Sequence, residues 1–266
     1  SVTCGMEIVN TSTNDPWKFS MQAKGSSPGT VSVISLTVSD SLRSTQTDIK
    51  VYGTNAGSPL VKLNADTALY MNPAGKVKLT AEVDAAAIGN ATWSINSNSG
   101  VNLASSALTT LVGDVKTGIS SFYFALKQNV LSERSSYTFT LTVKMASGGA
   151  ESSASVVVVT NGPPLPGVLT VSPATGSELL TDFEISASLW VDQDLPVTYS
   201  LYFVDPSSQL NNIIQSRSET SYGISKLPAG VASSAYNVSC GVQVYDNLNA
   251  VSSMFEQVRV NKLVVT

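Results

Sequence analysis

Apolar and polar residues alternate with a period of two along most of this chain. Residues 30–38, TVSVISLTV, alternate except at the adjacent Val33 and Ile34. Lys76–Val83, KVKLTAEV, places Val77, Leu79, Ala81 and Val83 on one face. Ala91–Ile95 carries Trp93, and Ser120–Leu126 (SSFYFAL) and Tyr137–Val143 (YTFTLTV) are aromatic and β-branched. Asp48–Tyr52 and Val156–Thr160 are further short runs. Such runs of four to eight residues, bounded by Gly, Asn, Ser and Pro, mark half-buried strands. Helical signals are few. Ser105–Leu111 predicts a short turn and Asn129–Ser135 one helical turn, neither with both a cap and an apolar stripe.

Prolines and glycines divide the run of strands at Gly53–Pro59 (GTNAGSP) and more strongly at Asn161–Gly167 (NGPPLPG), where prolines set an extended, semi-rigid spacer. The predicted organisation is part of a first domain over 1–58, a second domain over 59–160 and a third over 161–266. The last two share a rhythm: an edge strand with a Pro/Gly turn (Asn72–Gly75, Pro173–Gly176), then a core strand (KVKLTAEV, DFEISASLW). A third strand carrying an aromatic follows (ATWSI, VTYSLYF), and last a tyrosine-bearing strand with a hairpin. Domains of about 100 residues with strands at this spacing predict an all-β chain of tandem immunoglobulin/fibronectin-III-like β-sandwiches.

Composition narrows the function. Charged residues are 13% of the chain against a usual ~25%, while hydrophobic residues are 42%. This excludes a disordered tail and suits an extracellular β-protein. The net charge is 15 − 19 = −4, with no Lys/Arg cluster, so nucleic acid is not an expected partner. No apolar run approaches the ~20 residues of a membrane span; membrane attachment is expected outside this segment. SVTCGMEIV has neither the charged start nor the apolar core of a signal peptide, so the chain is expected to begin inside a longer protein. The chain has no histidine, which removes Ser-His-Asp triads, Cys–His pairs and His-ligated metals. Gly148-Gly149 lacks the P-loop lysine. The chain is expected not to be an enzyme.

Residues 161–199 carry a more specific signal. Asn161, Pro163 and Pro164 are followed by Pro173, Gly176, Leu179 or Leu180, Thr181 and Phe183, then by Trp190, Asp192, Asp194, Pro196 and Tyr199. This resembles the receptor-for-egg-jelly (REJ) module of polycystin-1-like and sperm receptor proteins. Val242, Val244, Tyr245 and Asp246 resemble its final strand and hairpin. The resemblance implies a non-catalytic stalk and adhesion region on a ciliary or flagellar membrane surface, working mechanically. The partners it implies are an extracellular protein or glycan, a polycystin-2-like channel, or a flagellar-hair (mastigoneme) protein. The alternatives are a receptor ectodomain that recognises glycan or glycoprotein, and an unrelated cadherin- or fibronectin-like adhesion protein. The family often has a cysteine where this chain has Ala187. Cys240 is therefore expected to lack its partner, leaving Cys240 and Cys4 as unpaired thiols or Cys4 paired with something upstream. Relative to a bridged member this costs the third domain about 2–4 kcal/mol.

No cofactor is expected, with one candidate exception. Asp192, Asp194 and Asp246 fall in two loops at one end of a sandwich, facing Asn161–Gly167, with Glu133 expected opposite. Such an oxygen-rich cluster could hold Ca²⁺. The competing reading is that Asp192 and Asp194 cap a turn through backbone N–H groups. Three sequons, at Asn10, Asn90 and Asn237, are candidate N-glycosylation sites; Asn90 is expected in a loop and Asn237 in a strand. Trp93 and Trp190 are expected in the core, and Trp17 in an exposed turn.

Overall fold

A computed structural model describes residues 7–15, 18–24, 31–52, 57–66, 68–148 and 151–263. The chain is all-β. Its strands are β1 (Glu7–Asp15), β2 (Lys18–Lys24), β3 (Val31–Ser39), β4 (Ser44–Tyr52), β5 (Leu60–Ala65), β6 (Tyr70–Met71), β7 (Lys78–Ala85), β8 (Gly89–Ile95), β9 (Val112–Val115) and β10 (Gly118–Ala125). They continue as β11 (Ser136–Met145), β12 (Ser152–Thr160), β13 (Val168–Ser172), β14 (Thr175–Ser177), β15 (Asp182–Ser188), β16 (Thr198–Val204), β17 (Asn211–Ser218), β18 (Tyr222–Lys226), β19 (Asn237–Tyr245) and β20 (Val251–Asn261). Among the described residues a short α-helix, α1 (Leu103–Ser106), is capped by the Asn102 side chain, which accepts from the Ala104 amide. Where one helical turn is expected, at 129–135, there is none. Asn129 and Arg134 have φ of 57° and 49°, left-handed values that break a helix.

One sheet order occurs twice. Strands β5, β7 and β10 form a three-stranded sheet in the order β10-β7-β5, and β6, β8, β9, β11 and β12 form a second in the order β6-β12-β11-β8-β9. Strands β13 to β20 repeat both, as β13-β15-β18 and β14-β20-β19-β16-β17. In each set the first, third and sixth strands make the small sheet. The second and last strands are parallel neighbours, β6 with β12 and β14 with β20. The alternating residues supply the cores because period-two side chains share one face.

The described residues fall into two compact units, one drawn from 1–67, 76–127 and 137–157, the other from 68–75, 128–136 and 158–266. In the first, Phe124 of β10 lies 5.3 Å, centroid to centroid, from both Trp93 of β8 and Phe139 of β11. Val77, Leu79, Ala81, Val83, Leu141 and Val143 are buried with them. β8 begins two residues earlier than its pattern predicts. Gly89 permits this: a Cβ there would lie 2.3 Å from the Lys144 carbonyl oxygen. Asn90 is thus in a strand rather than a loop. In the second unit Leu169, Phe183, Ile185, Leu201, Val242, Val244 and Val260 share one core with Trp190.

Ala187 and Cys240 are both in that core, 2% and 0% exposed, and Cys240 is a free thiol. Cys4 and Trp17, and the Asn10 side chain, lie outside the described residues. Burial pushes the Cys240 thiol from its ordinary 9.0 up to about 12. A disulfide-exchange reagent at about pH 8 is therefore expected to leave native Cys240 unlabelled and to react once denaturant opens the unit. Alkali has the same cause. Between pH 9.0 and about 12 the unfolded chain releases the thiol proton while the folded chain keeps it. Stability complete below pH 9.0 therefore falls as pH rises towards 12.

Candidate functional site

The acidic residues and the Asn-x-Pro-Pro segment meet within the second unit. The loop after β15 carries Asp192 and Asp194, and the β19–β20 hairpin begins at Asp246. One carboxylate oxygen of each lies within 4.8 Å of the others. Asp246 is 0% exposed and Asn161 only 1%. Both are side chains that would be costly to bury without partners.

Asn161 is the hub. Its Nδ2 donates to Asp246 Oδ2 at 2.5 Å and to Asn72 Oδ1 at 2.8 Å. Its Oδ1 accepts from the Gly162 amide at 2.7 Å and lies 3.1 Å from the Tyr70 hydroxyl. Its own amide donates to the Met71 carbonyl. Both amide protons and the carbonyl of the side chain are in use. An aspartate would offer no donor and would set a second carboxylate against Asp246.

The carboxylates are held by neutral donors. Asp246 Oδ1 accepts from the Ala250 amide at 2.8 Å, closing the hairpin. Asp192 Oδ1 accepts from the Asp194 amide at 2.7 Å, the Asx turn that the capping reading predicts. Asp194 Oδ2 accepts from Tyr70 Oη at 2.5 Å, and Gln193 Nε2 donates to that hydroxyl at 2.9 Å. Burial, with the hydrogen bond to Asp194 next, raises the Tyr70 phenol above its usual value. Asn247 N donates to the Asp194 carbonyl and Asn72 Nδ2 to the Leu248 carbonyl, so the two loops are tied to each other and to residues 70–72. Arg217 braces the hairpin, donating to Asn249 Oδ1 and the Asp246 carbonyl over the Tyr245 ring.

These bonds change the picture of 161–167 as a spacer. The Leu165 amide donates to the Val191 carbonyl, Ser252 Oγ to the Pro164 carbonyl, and Arg134 Nη2 to the Pro163 carbonyl. The segment is bound into the second unit along its length. Glu133 is not with the three aspartates; its carboxylate is 3.9 Å from the Arg134 guanidinium. Sequence reasoning missed Tyr70 and Asn72, which lie about ninety residues before Asn161. As a metal site the cluster would offer three carboxylates, whereas Ca²⁺ takes about six to eight oxygens. Four of the six carboxylate oxygens already serve turn and hub.

The other motif positions have structural work. A Cβ on Gly176 would lie 2.6 Å from the Phe183 ring and 2.6 Å from Thr181. Thr181 Oγ1 accepts from the Ser177 amide. Trp190 is 8% exposed in the core, and its Nε1 is buried without a partner among the described residues.

A profile of the REJ domain matches residues 2–266. The chain belongs to the REJ domain family. Human polycystin family receptor for egg jelly is 27% identical to this REJ chain over 174 residues, 61% of the chain and 8% of the relative. The mouse protein of the same name is 29% identical over 130 residues, 45% and 6%. The REJ chain thus spans less than a tenth of the curated relatives it matches. Among solved structures, one described as a Ca²⁺-stabilized adhesin that helps an Antarctic bacterium reach out and bind ice covers 88% of the REJ chain and 57% of its own. Its TM-score is 0.49 at 15% identity. Titin Z1Z2 with telethonin covers 77% of the REJ chain and 98% of its own, at TM-score 0.34 and 8% identity. No helix of the described REJ residues is long and apolar enough to cross a membrane.

Proposed function

We propose that this chain is a non-catalytic, extracellular adhesion-type module of a polycystin-1-like surface protein, and that its task is to bear tension. On this reading it tethers an extracellular protein or glycan, or a flagellar-hair protein, at a ciliary or flagellar surface. Through the rest of its protein it couples that load to a polycystin-2-like channel. Membership of the REJ family supports the class of protein.

The observation that carries the mechanical reading is the parallel pairing of an early strand with the last one, found twice. Thr175–Ser177 runs parallel to Arg259–Asn261, flanked by Arg259 N to the Ala174 carbonyl (3.2 Å) and Glu178 N to the Asn261 carbonyl (2.9 Å). Tyr70–Met71 runs parallel to Val159–Thr160, with Val159 N to the Leu69 carbonyl (2.7 Å). Tension pulls the early strand towards its N-terminus and the last strand towards its C-terminus. For parallel strands these directions are opposed along one axis. The bonds are therefore loaded together in shear, whereas an antiparallel hairpin pulled at its open end yields one bond at a time.

Stretching single chains by atomic-force microscopy tests this. Glu178→Pro deletes the amide that bonds Asn261. Glu178→Ala is the control, since the Glu178 carboxylate also accepts from Ala229 N and Leu263 N. The proline variant is expected to unfold at clearly lower force than the alanine variant. Equal forces would remove the shear mechanism.

A further inference from the structure

The sequons differ in what surrounds them. Along β8, Asn90, Thr92 and Ser94 are exposed and alternate with the buried Gly89, Ala91 and Trp93. Asn90 and the hydroxyl of its sequon, Thr92, therefore stand on one outer face. Asn90 pairs with Lys144 on one side and Asp114 on the other, and Thr92 pairs with Thr142 and Val112. These strands frame an open groove of about 550 Å³, lined by Asn90, Thr92, Val112, Thr142, Lys144 and Glu151 among others. Among the described residues no hydrogen bond engages the side-chain amide of Asn90, whose backbone is paired in the sheet. Asn237 is different: it is half-buried, and its Nδ2 donates to Gln257 Oε1 at 3.3 Å.

We propose that Asn90 carries an N-linked glycan whose first sugars lie in this groove. In the transfer, Asn90 Nδ2 attacks C1 of an oligosaccharide carried on a lipid diphosphate. The new C–N bond forms as the C1–O bond breaks. The electron pair leaves with the lipid diphosphate, and the amide gives up one proton. A side chain that points outward and is free accommodates the product after folding, whereas a glycan on Asn237 has to displace the Gln257 contact. The groove suits an N-acetylated sugar. Val112, 56% exposed, offers an apolar contact to the acetyl methyl. Thr142 and the Lys144–Glu151 ion pair, 2.5 Å between charged atoms, offer donors and acceptors to hydroxyls.

The inference rests on the extracellular reading, and its test separates the two. The full chain is secreted from a eukaryotic cell line behind an added signal peptide, so that its own address does not enter. Glycopeptide mass spectrometry is expected to find Asn90 occupied. N90Q and T92A should lose that glycan, T92S should keep it, and N237Q should leave it unchanged. Acylation of Lys144 by an amine-reactive ester is expected to be several-fold slower in the glycosylated chain than in N90Q. A secreted, folded chain with bare Asn90 overturns the site, and equal labelling of Lys144 overturns the seat. The extracellular reading fails separately, if the natural protein is bare while the secreted chain is occupied.

Discussion

Replacing Asp246 by alanine is expected to cost the second unit about 3–5 kcal/mol, read as a lower urea midpoint at unchanged slope. The carboxylate is fully buried and accepts from Ala250 N and Asn161 Nδ2. Hydrogen bonds to a charged group contribute roughly 1.5–3 kcal/mol each, and truncation leaves the buried Asn161 side chain, 1% exposed, without its partner. Against a total of about 5–15 kcal/mol for a domain, this is a large share. Asp246→Asn keeps the shape and the bond to Ala250 but brings an amide towards the Asn161 amide, so its cost falls between alanine and wild type. Asn161→Asp should be at least as damaging as Asp246→Ala, because it sets two carboxylates at hydrogen-bond distance. Combining Asn161→Asp with Asp246→Asn restores a donor–acceptor pair and should recover part of the loss. A double-mutant cycle that shows no coupling would mean that the two residues do not act as one hub.

Alternation does not by itself mark a buried face: β3, expected to be half-buried, has Val31, Val33, Leu36 and Val38 each more than half exposed among the described residues, whereas three other alternating strands do bury one. Lys78–Ala85, Ser136–Met145 and Asp182–Ser188 each present every second side chain to a core. β17, reading NNIIQSRS, is not legible that way. The consecutive Ile213 and Ile214 break period two in the sequence, and the pairing with β16 shifts register at that point, from Leu201 opposite Gln215 to Tyr202 opposite Ile213. β9 and β14 have four and three residues, too short for any periodicity to appear. The site divides similarly. That Asp192, Asp194 and Asp246 meet the Asn161 segment follows from the loops of a sandwich end. The role of Asn161 could be suspected from its place before two prolines. That Tyr70 and Asn72 complete its bonds could not, because contacts across about ninety residues leave no local pattern. The left-handed residues Asn129 and Arg134 likewise overrode a weak helical propensity at 129–135, which tertiary context routinely does.

Replacing Phe183 by alanine is expected to cost about 3–5 kcal/mol, and Phe183→Leu about 1–2 kcal/mol, since most of the volume stays filled. Phe183 is 0% exposed and sits in the core with Leu201, Val242 and Val260. Its ring also lies against Gly176, so closely that a Cβ there would be 2.6 Å from it. The ring therefore backs the strand whose parallel pairing with β20 is proposed to carry load. This separates two ways of weakening the unit. Phe183→Ala empties the core and should lower both the denaturant midpoint and the unfolding force. Glu178→Pro removes one bond at the strand's edge. Relative to Glu178→Ala it should lower the force more than the midpoint, because forced unfolding follows the barrier along the pulling direction rather than the equilibrium stability. Should both variants reduce force only in proportion to stability, core packing alone sets the mechanical strength, and the parallel strand pair has no special part in it.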